Sequence, residues 1–154
     1  MKVKFLVLLT TLFLLITGCG VEHIEGNLED IMNNLYDGVS EEELPMMLQN
    51  TELSEENIEN FIGTKDIKWS EAIVSESLVG SIAHSVVLVR MSEDATEKDI
   101  EEAKEKIKEN ANPSKWVCVT AEKVEVLSKG DLILLIMSDE SKATKISNNF
   151  NEIK

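Results

Sequence analysis

The hydrophobic pattern divides the chain into an apolar head and a body that switches between helical and extended periods. Phe5 to Ile16 is apolar apart from Thr10 and Thr11, and Lys2 and Lys4 precede it. From Leu28 the apolar residues are spaced instead of continuous. Leu28, Ile31, Met32 and Leu35 follow the i, i+3, i+4, i+7 rhythm of an amphipathic helix, which Asn27 can cap and Gly38 can end. Glu41-Glu42-Glu43-Leu44-Pro45-Met46-Met47 then opens a loop or short extended piece. A second helix is predicted from about Glu55 to Ile62. Ser54 serves as its N-cap, Glu55 and Glu56 stand at the positive end of its dipole, Leu53 staples against Ile58, and Gly63 stops it.

After Lys68 the period shortens. Trp69 to Leu78 suits a strand, Val79-Gly80-Ser81 a turn, and Ile82 to Met91 a β-branched return strand. The clearest helix spans about Glu97 to Asn110. Thr96 and Asp99 resemble a capping box, Ile100, Ala103 and Ile107 form a narrow apolar stripe, Glu102 and Lys106 make an i, i+4 pair, and Asn112-Pro113 ends it. Trp116 to Thr120 is extended by composition. Lys123 to Leu127 and Leu132 to Met137 read as strands joined by the turn Ser128-Lys129-Gly130-Asp131. Ser138 or Asp139 caps a last helix with apolar positions Ala143, Ile146, Phe150 and Ile153.

The element order is therefore α-α-β-β-α-β-β-α. It predicts an α+β fold, a mostly antiparallel sheet with helices packed on it. The sheet has five strands if Trp116 to Thr120 stands apart from Lys123 to Leu127, and four if they form one bent strand. Val86 to Val89 and Leu132 to Met137 do not alternate, so both need cover on two faces. Either the four helices supply it, or a protein partner or homodimer completes an apolar sheet face.

The head is too short to span a bilayer. Its 12 residues reach about 18 Å as a helix, against a hydrocarbon core of about 30 Å. With its basic start and small residues at Thr17 and Gly18, it reads as a secretory signal. Ile16-Thr17-Gly18-Cys19 resembles the lipobox of bacterial lipoproteins. That resemblance implies cleavage between Gly18 and Cys19, a diacylglycerol cysteine at Cys19 with palmitate-type acyl chains, and a protein held at the outer face of the cytoplasmic membrane. Two or more chains give stable anchoring at about 0.8 kcal/mol per buried methylene. The organisation expected is a signal peptide over 1–18, a lipidated tether over 19–27 reaching about 20 Å, and one domain over 28–154.

Charge and cysteine usage narrow the partners. The chain carries 29 acidic and 15 basic side chains. Lys2 and Lys4 leave with the signal, so the remainder carries 13 basic against the same 29 acidic residues, a net charge of −16. Such a charge opposes nucleic acid and anionic headgroups, and no nucleic-acid partner is expected. Lipidation at Cys19 leaves Cys118 as the second of two cysteines, so no internal disulfide is available.

Candidate chemistry is sparse. His23 lies in the tether and is read as exposed. His84 shows no orienting partner or target in sequence, so a satisfied or surface histidine is expected. Cys118, among apolar neighbours, is read as a buried and inert thiol. Glu41 to Glu43 lack calcium-loop spacing. There is no Ser-His-Asp signature, zinc spacing or phosphate-binding glycine loop. No catalytic, cofactor-binding or metal residue is assigned. A transporter's substrate-binding lipoprotein needs two lobes, more than this length supplies. Two functions remain: a non-catalytic binding or accessory module, and an extracytoplasmic enzyme acting on cell-wall material through paired carboxylates.

Ala83-His84-Ser85-Val86-Val87-Leu88-Val89-Arg90, Lys115-Trp116-Val117-Cys118-Val119 and Asp131-Leu132-Ile133-Leu134-Leu135-Ile136-Met137 resemble a family of small lipoproteins from Firmicutes with a domain of unknown function. Leu44-Pro45 and Thr51-Glu52-Leu53 fit its earlier segment. The resemblance covers roughly Leu28 to Ser138 and implies a lipid anchor and an uncharacterised α+β domain, with no active-site residue to carry over.

Overall fold

The computed structural model describes residues 20–154. The signal segment over 1–18, the junction between Gly18 and Cys19, and Cys19 itself lie outside the described residues. Nine elements follow: α1 (Leu28–Asn34), β1 (Leu48–Glu52), α2 (Ile58–Ile62), β2 (Trp69–Ser77), β3 (Ser85–Met91), α3 (Glu97–Asn110), β4 (Lys123–Lys129), β5 (Leu132–Ser138) and α4 (Glu140–Glu152). The fold is α+β, with one five-stranded sheet in the order β1-β2-β3-β5-β4 and every pairing antiparallel. After β3 the chain passes through α3 to the edge strand β4, and β5 returns between β4 and β3.

Helix boundaries obey local chemistry. Asn27 caps α1 by accepting from the Asp30 N–H, and Asp139 caps α4 by accepting from Lys142. Thr96 and Asp99 form both halves of a capping box on α3. The Glu102–Lys106 pair expected on that helix does not form, because Lys106 Nζ reaches Asp66 Oδ2 at 2.7 Å. α2 begins at Ile58 rather than Glu55: the Asn57 side chain accepts from the Ser54 N–H at 2.8 Å and holds a turn there.

The core has two halves, one on each side of the sheet. On one side Ile58 and Ile62 of α2 and Ile100, Ala103 and Ile107 of α3 pack on Val74, Val87, Val89, Ile133 and Leu135. On the other, Leu28, Ile31 and Met32 of α1 and Ala143, Ile146 and Phe150 of α4 pack on Ile73, Val86, Leu88, Leu134 and Ile136. Every residue of β3 and β5 is buried. Of the two alternatives for these strands, the helices supply the cover on both faces. The physical reason is width. Only β3 and β5 are buried along their whole length, with continuous apolar runs over Val86–Val89 and Leu132–Met137. Two strands about 4.8 Å apart present a strip that one helix of about 10 Å diameter covers.

The fifth strand is β1, not Trp116 to Thr120. β1 is an edge strand with one apolar residue, Leu48, and it pairs with β2 from Leu48↔Ser77 to Glu52↔Ile73. Trp116 to Thr120 forms a bent loop. Its ends close on each other through Ala121 N–H to Pro113 C=O at 2.9 Å, and Cys118 takes a left-handed φ of 61°.

Candidate functional site

The register defines two ends of the sheet. Trp69, Met91, Lys129 and Leu132 lie at one, and Leu48, Ser77, Ser85, Lys123 and Ser138 at the other. We call them the tether end and the far end.

At the tether end residues 22 to 26 are built into the fold. Asp131 N–H donates to the Glu22 carbonyl at 2.8 Å, and the Asp131 carboxylate accepts from Ile24 N–H at 2.9 Å. Arg90 is the centre of this cluster. Its Nη1 donates to Asp131 Oδ2 at 3.0 Å and to the Ile24 carbonyl at 2.7 Å, Nη2 to the Gly26 carbonyl at 2.8 Å, and Nε to Glu71 at 2.6 Å. His23 Nδ1 lies 2.6 Å from Asp131 Oδ2, with its ring largely open to solvent. Ile24 is buried against the α1–α4 side of the core. Gly130, at φ 52°, lets the strand pass: a Cβ there would sit 2.4 Å from the Glu22 carbonyl oxygen.

Burial works against charge on both members of the Arg90–Asp131 pair, and the pairing overrides it in both. Asp131 is held below the usual carboxylate range by the Ile24 N–H, Arg90 and His23, and Arg90 is held above its ordinary value by Asp131 and Glu71. A buried guanidinium with its donors matched by two carboxylates and two carbonyls forms a rigid clamp. The segment read as a free tether over 19–27 is thus ordered from Glu22 onward.

The far end is different. Met46, Met47, Leu78 and Val117 are each more than 60 % exposed there. Their loops are stitched together by backbone bonds: Leu78 N–H to the Met47 carbonyl at 3.2 Å, and Val117 N–H to the Gly80 carbonyl at 2.9 Å. Ser77 Oγ also donates to the Met46 carbonyl at 2.7 Å. Among the described residues, the two non-glycine residues with positive φ, Met47 at 54° and Cys118 at 61°, both stand in this rim. Left-handed backbone costs an L-residue about 1–2 kcal/mol. Cys118 is exposed, which corrects the expectation of a buried thiol; it lies in the bent loop instead of an apolar strand. Lys115 pins that loop, 2.7 Å from Glu76 and 4.7 Å above the Phe61 ring.

Beneath the rim lies a buried polar chain. His84, fully buried just ahead of β3, has Nε2 2.8 Å from the Tyr36 hydroxyl and Nδ1 2.8 Å from Ser138 Oγ. Burial, then the charge of Lys142, lowers its pKa to about 4 against the opposing pull of Asp139. The imidazole is neutral at pH 7, one nitrogen donating and the other accepting. Burial likewise pushes the Tyr36 hydroxyl up. A serine beside a histidine is the start of a nucleophilic dyad. Here both are sealed from solvent, and the second nitrogen meets a phenol where a triad has a carboxylate. This is the satisfied histidine expected from sequence, and it ties the turn after α1 to the end of β5.

Among the described residues no group of three or more His, Cys, Asp or Glu is placed to hold a metal ion, and no helix is long and apolar enough to cross a membrane. Comparison of the chain with protein-family models, curated proteins and solved structures finds no match.

The sequence left Arg90 unremarked, and its signal was there: a charge inside Val86-Val87-Leu88-Val89-Arg90-Met91 must find partners if the strand is buried. Asp131 passed for an ordinary turn residue. Met46 and Met47 passed for loop.

Proposed function

We propose that this chain is a lipoprotein of the small Firmicutes type, exported and anchored through Cys19 at the outer face of the cytoplasmic membrane, where its domain acts as a non-catalytic binding or accessory module. The observation that carries the reading is Ile16-Thr17-Gly18-Cys19 placed directly after two lysines and an apolar run. Two features of the domain support the second half. Its exposed apolar side chains gather in one rim of flexible thioether and aliphatic groups, which suits recognition of another surface. The one Ser–His contact among the described residues, His84 with Ser138, is closed to substrate, which lends the enzymatic alternative no support. Mass measurement of the N-terminal peptide from the membrane fraction tests the anchor. Cys19 is expected to carry a diacylglycerol, and Cys19→Ser to leave the protein either uncleaved or free in the medium. An unmodified Cys19 on mature, membrane-bound protein overturns the reading.

A further inference from the structure

We infer that the tether end of the domain faces the lipid bilayer at close range and that the far-end rim is presented away from it. This rests on the anchoring of Cys19 proposed above. The argument is one of chain length. Val21 is already packed on the core and lines the grooves it shares with Met91 and Ala95 and with Ile100 and Gly130. The Glu22 carbonyl is bonded to Asp131, and from Ile24 to Gly26 the chain is held by Arg90. Two peptide links separate Cys19 from Val21 and three separate it from Glu22, so the lipidated residue lies within about 7 Å of the first and 11 Å of the second. A free segment over 19–27 would allow the domain to tumble; the clamp does not.

The end of β3, the β4–β5 turn and the start of α3 therefore face the lipid. β3 has seven residues, which places Ser85 and the rim about 20 Å further out. Attraction does not produce this pose. Glu22, Glu93, Asp94, Glu97 and Glu101 stand at the tether end, and acidic groups are repelled by anionic headgroups. At a separation of about 10 Å this repulsion is largely screened at physiological salt, where the Debye length is about 8 Å. The short covalent reach, not charge, sets the pose.

The test uses the lipidated full-length protein in vesicles of phosphatidylcholine and phosphatidylglycerol that contain a headgroup spin-labelled lipid. In a Cys118→Ser background, an alkynyl amino acid at Glu93 or at Val117 carries a fluorophore to the tether end or the far end. Headgroup nitroxides quench only at short range, so the probe at 93 is expected to be quenched several-fold more than the probe at 117. Inserting eight Gly/Ser residues between Gly20 and Val21 leaves the clamp intact and is expected to erase that difference. Arg90→Gln is expected to do the same. Equal quenching of the two probes on anchored, uninserted protein overturns the inference, as does a difference that survives the insertion. If Cys19 carries no lipid in cells, the anchoring reading fails on its own. Coupling a maleimide lipid to Cys19, then the sole thiol, still tests the orientation by the same comparison of the two probes.

Discussion

The two ends of one sheet solve the same backbone problem in opposite ways. At the tether end the left-handed positions are Gly26 and Gly130, with φ of 109° and 52°, and glycine takes such angles without steric cost. Ile24 is buried there, and the buried Arg90 is paired with Asp131 and Glu71. At the far end Met47 and Cys118 take left-handed backbone despite their side chains, and four large apolar side chains stand in solvent. Strain and exposure coincide where the chain has nothing to hold, which is the arrangement expected of a presenting surface. The tether end is fixed by a buried ion pair, and the far end leaves apolar side chains in solvent.

The largest expected effect comes from breaking the clamp. Arg90→Met keeps the strand apolar but leaves Asp131 buried beside Glu22 and Ile24 without its cation. Removing one partner of a buried pair costs about 3–5 kcal/mol, read as a fall in the denaturant midpoint. Hydrogen exchange should show residues 22 to 26 released while β3 and β5 stay protected. A loss below about 1 kcal/mol would erase the contrast between a fixed end and a loose one.

How much of this was legible in the chain follows from the range of each interaction. The capping box of α3 and the cap of α1 span three residues, and the sequence displays them directly. The two-faced burial of β3 and β5 shows as unbroken apolar runs. β1 did not show, because an edge strand of Leu-Gln-Asn-Thr-Glu is defined by its neighbour Ile73 to Ser77 rather than by its own apolar content. Trp116 to Thr120 misled for the converse reason. Its β-propensity describes fit to a half-buried pleat, yet Trp116 packs inward while Val117 faces solvent and no strand pairs with it. The clamp was beyond local reading: Arg90 finds Glu71, Asp131, Gly26 and Ile24 at separations of 19, 41, 64 and 66 residues. His84 meets Tyr36 and Ser138 across 48 and 54 residues.

The next effect separates the ends by pH. His84 titrates near 6.5 when unfolded and is lowered to about 4 in the fold. Below 6.5 the unfolded chain takes up a proton that the folded one refuses, so stability falls as pH falls from 6.5 to 4. The full loss is about 3 kcal/mol at 1.36 kcal/mol per unit. His84→Gln should flatten the curve in that window. Asp131, whose folded pKa is lowered, contributes stability above its unfolded value of 3.8 that is lost as pH falls below it. A slope over pH 6.5 to 4 that persists in His84→Gln would place the titrating group elsewhere.

The smallest effect on stability is expected at the rim, and its smallness is the point. Met46, Met47, Leu78 and Val117 already face water, so replacing Met47 and Val117 with lysine removes little buried area, and the change should stay within about 0.5 kcal/mol. The native Cys118 thiol, exposed in the same rim, should react with a thiol reagent without denaturant, and its rate should be insensitive to Arg90→Met if the two ends are independent. An apolar dye that binds the native protein should lose that binding in Met47→Lys with Val117→Lys while the denaturant midpoint holds. If the midpoint shift corresponds to a loss of about 2 kcal/mol or more, well outside the surface range, these side chains are packing residues after all. Slow labelling of Cys118 in the native state would say the same from the other side: the far end would then be closed like the tether end, and the contrast between them would be gone.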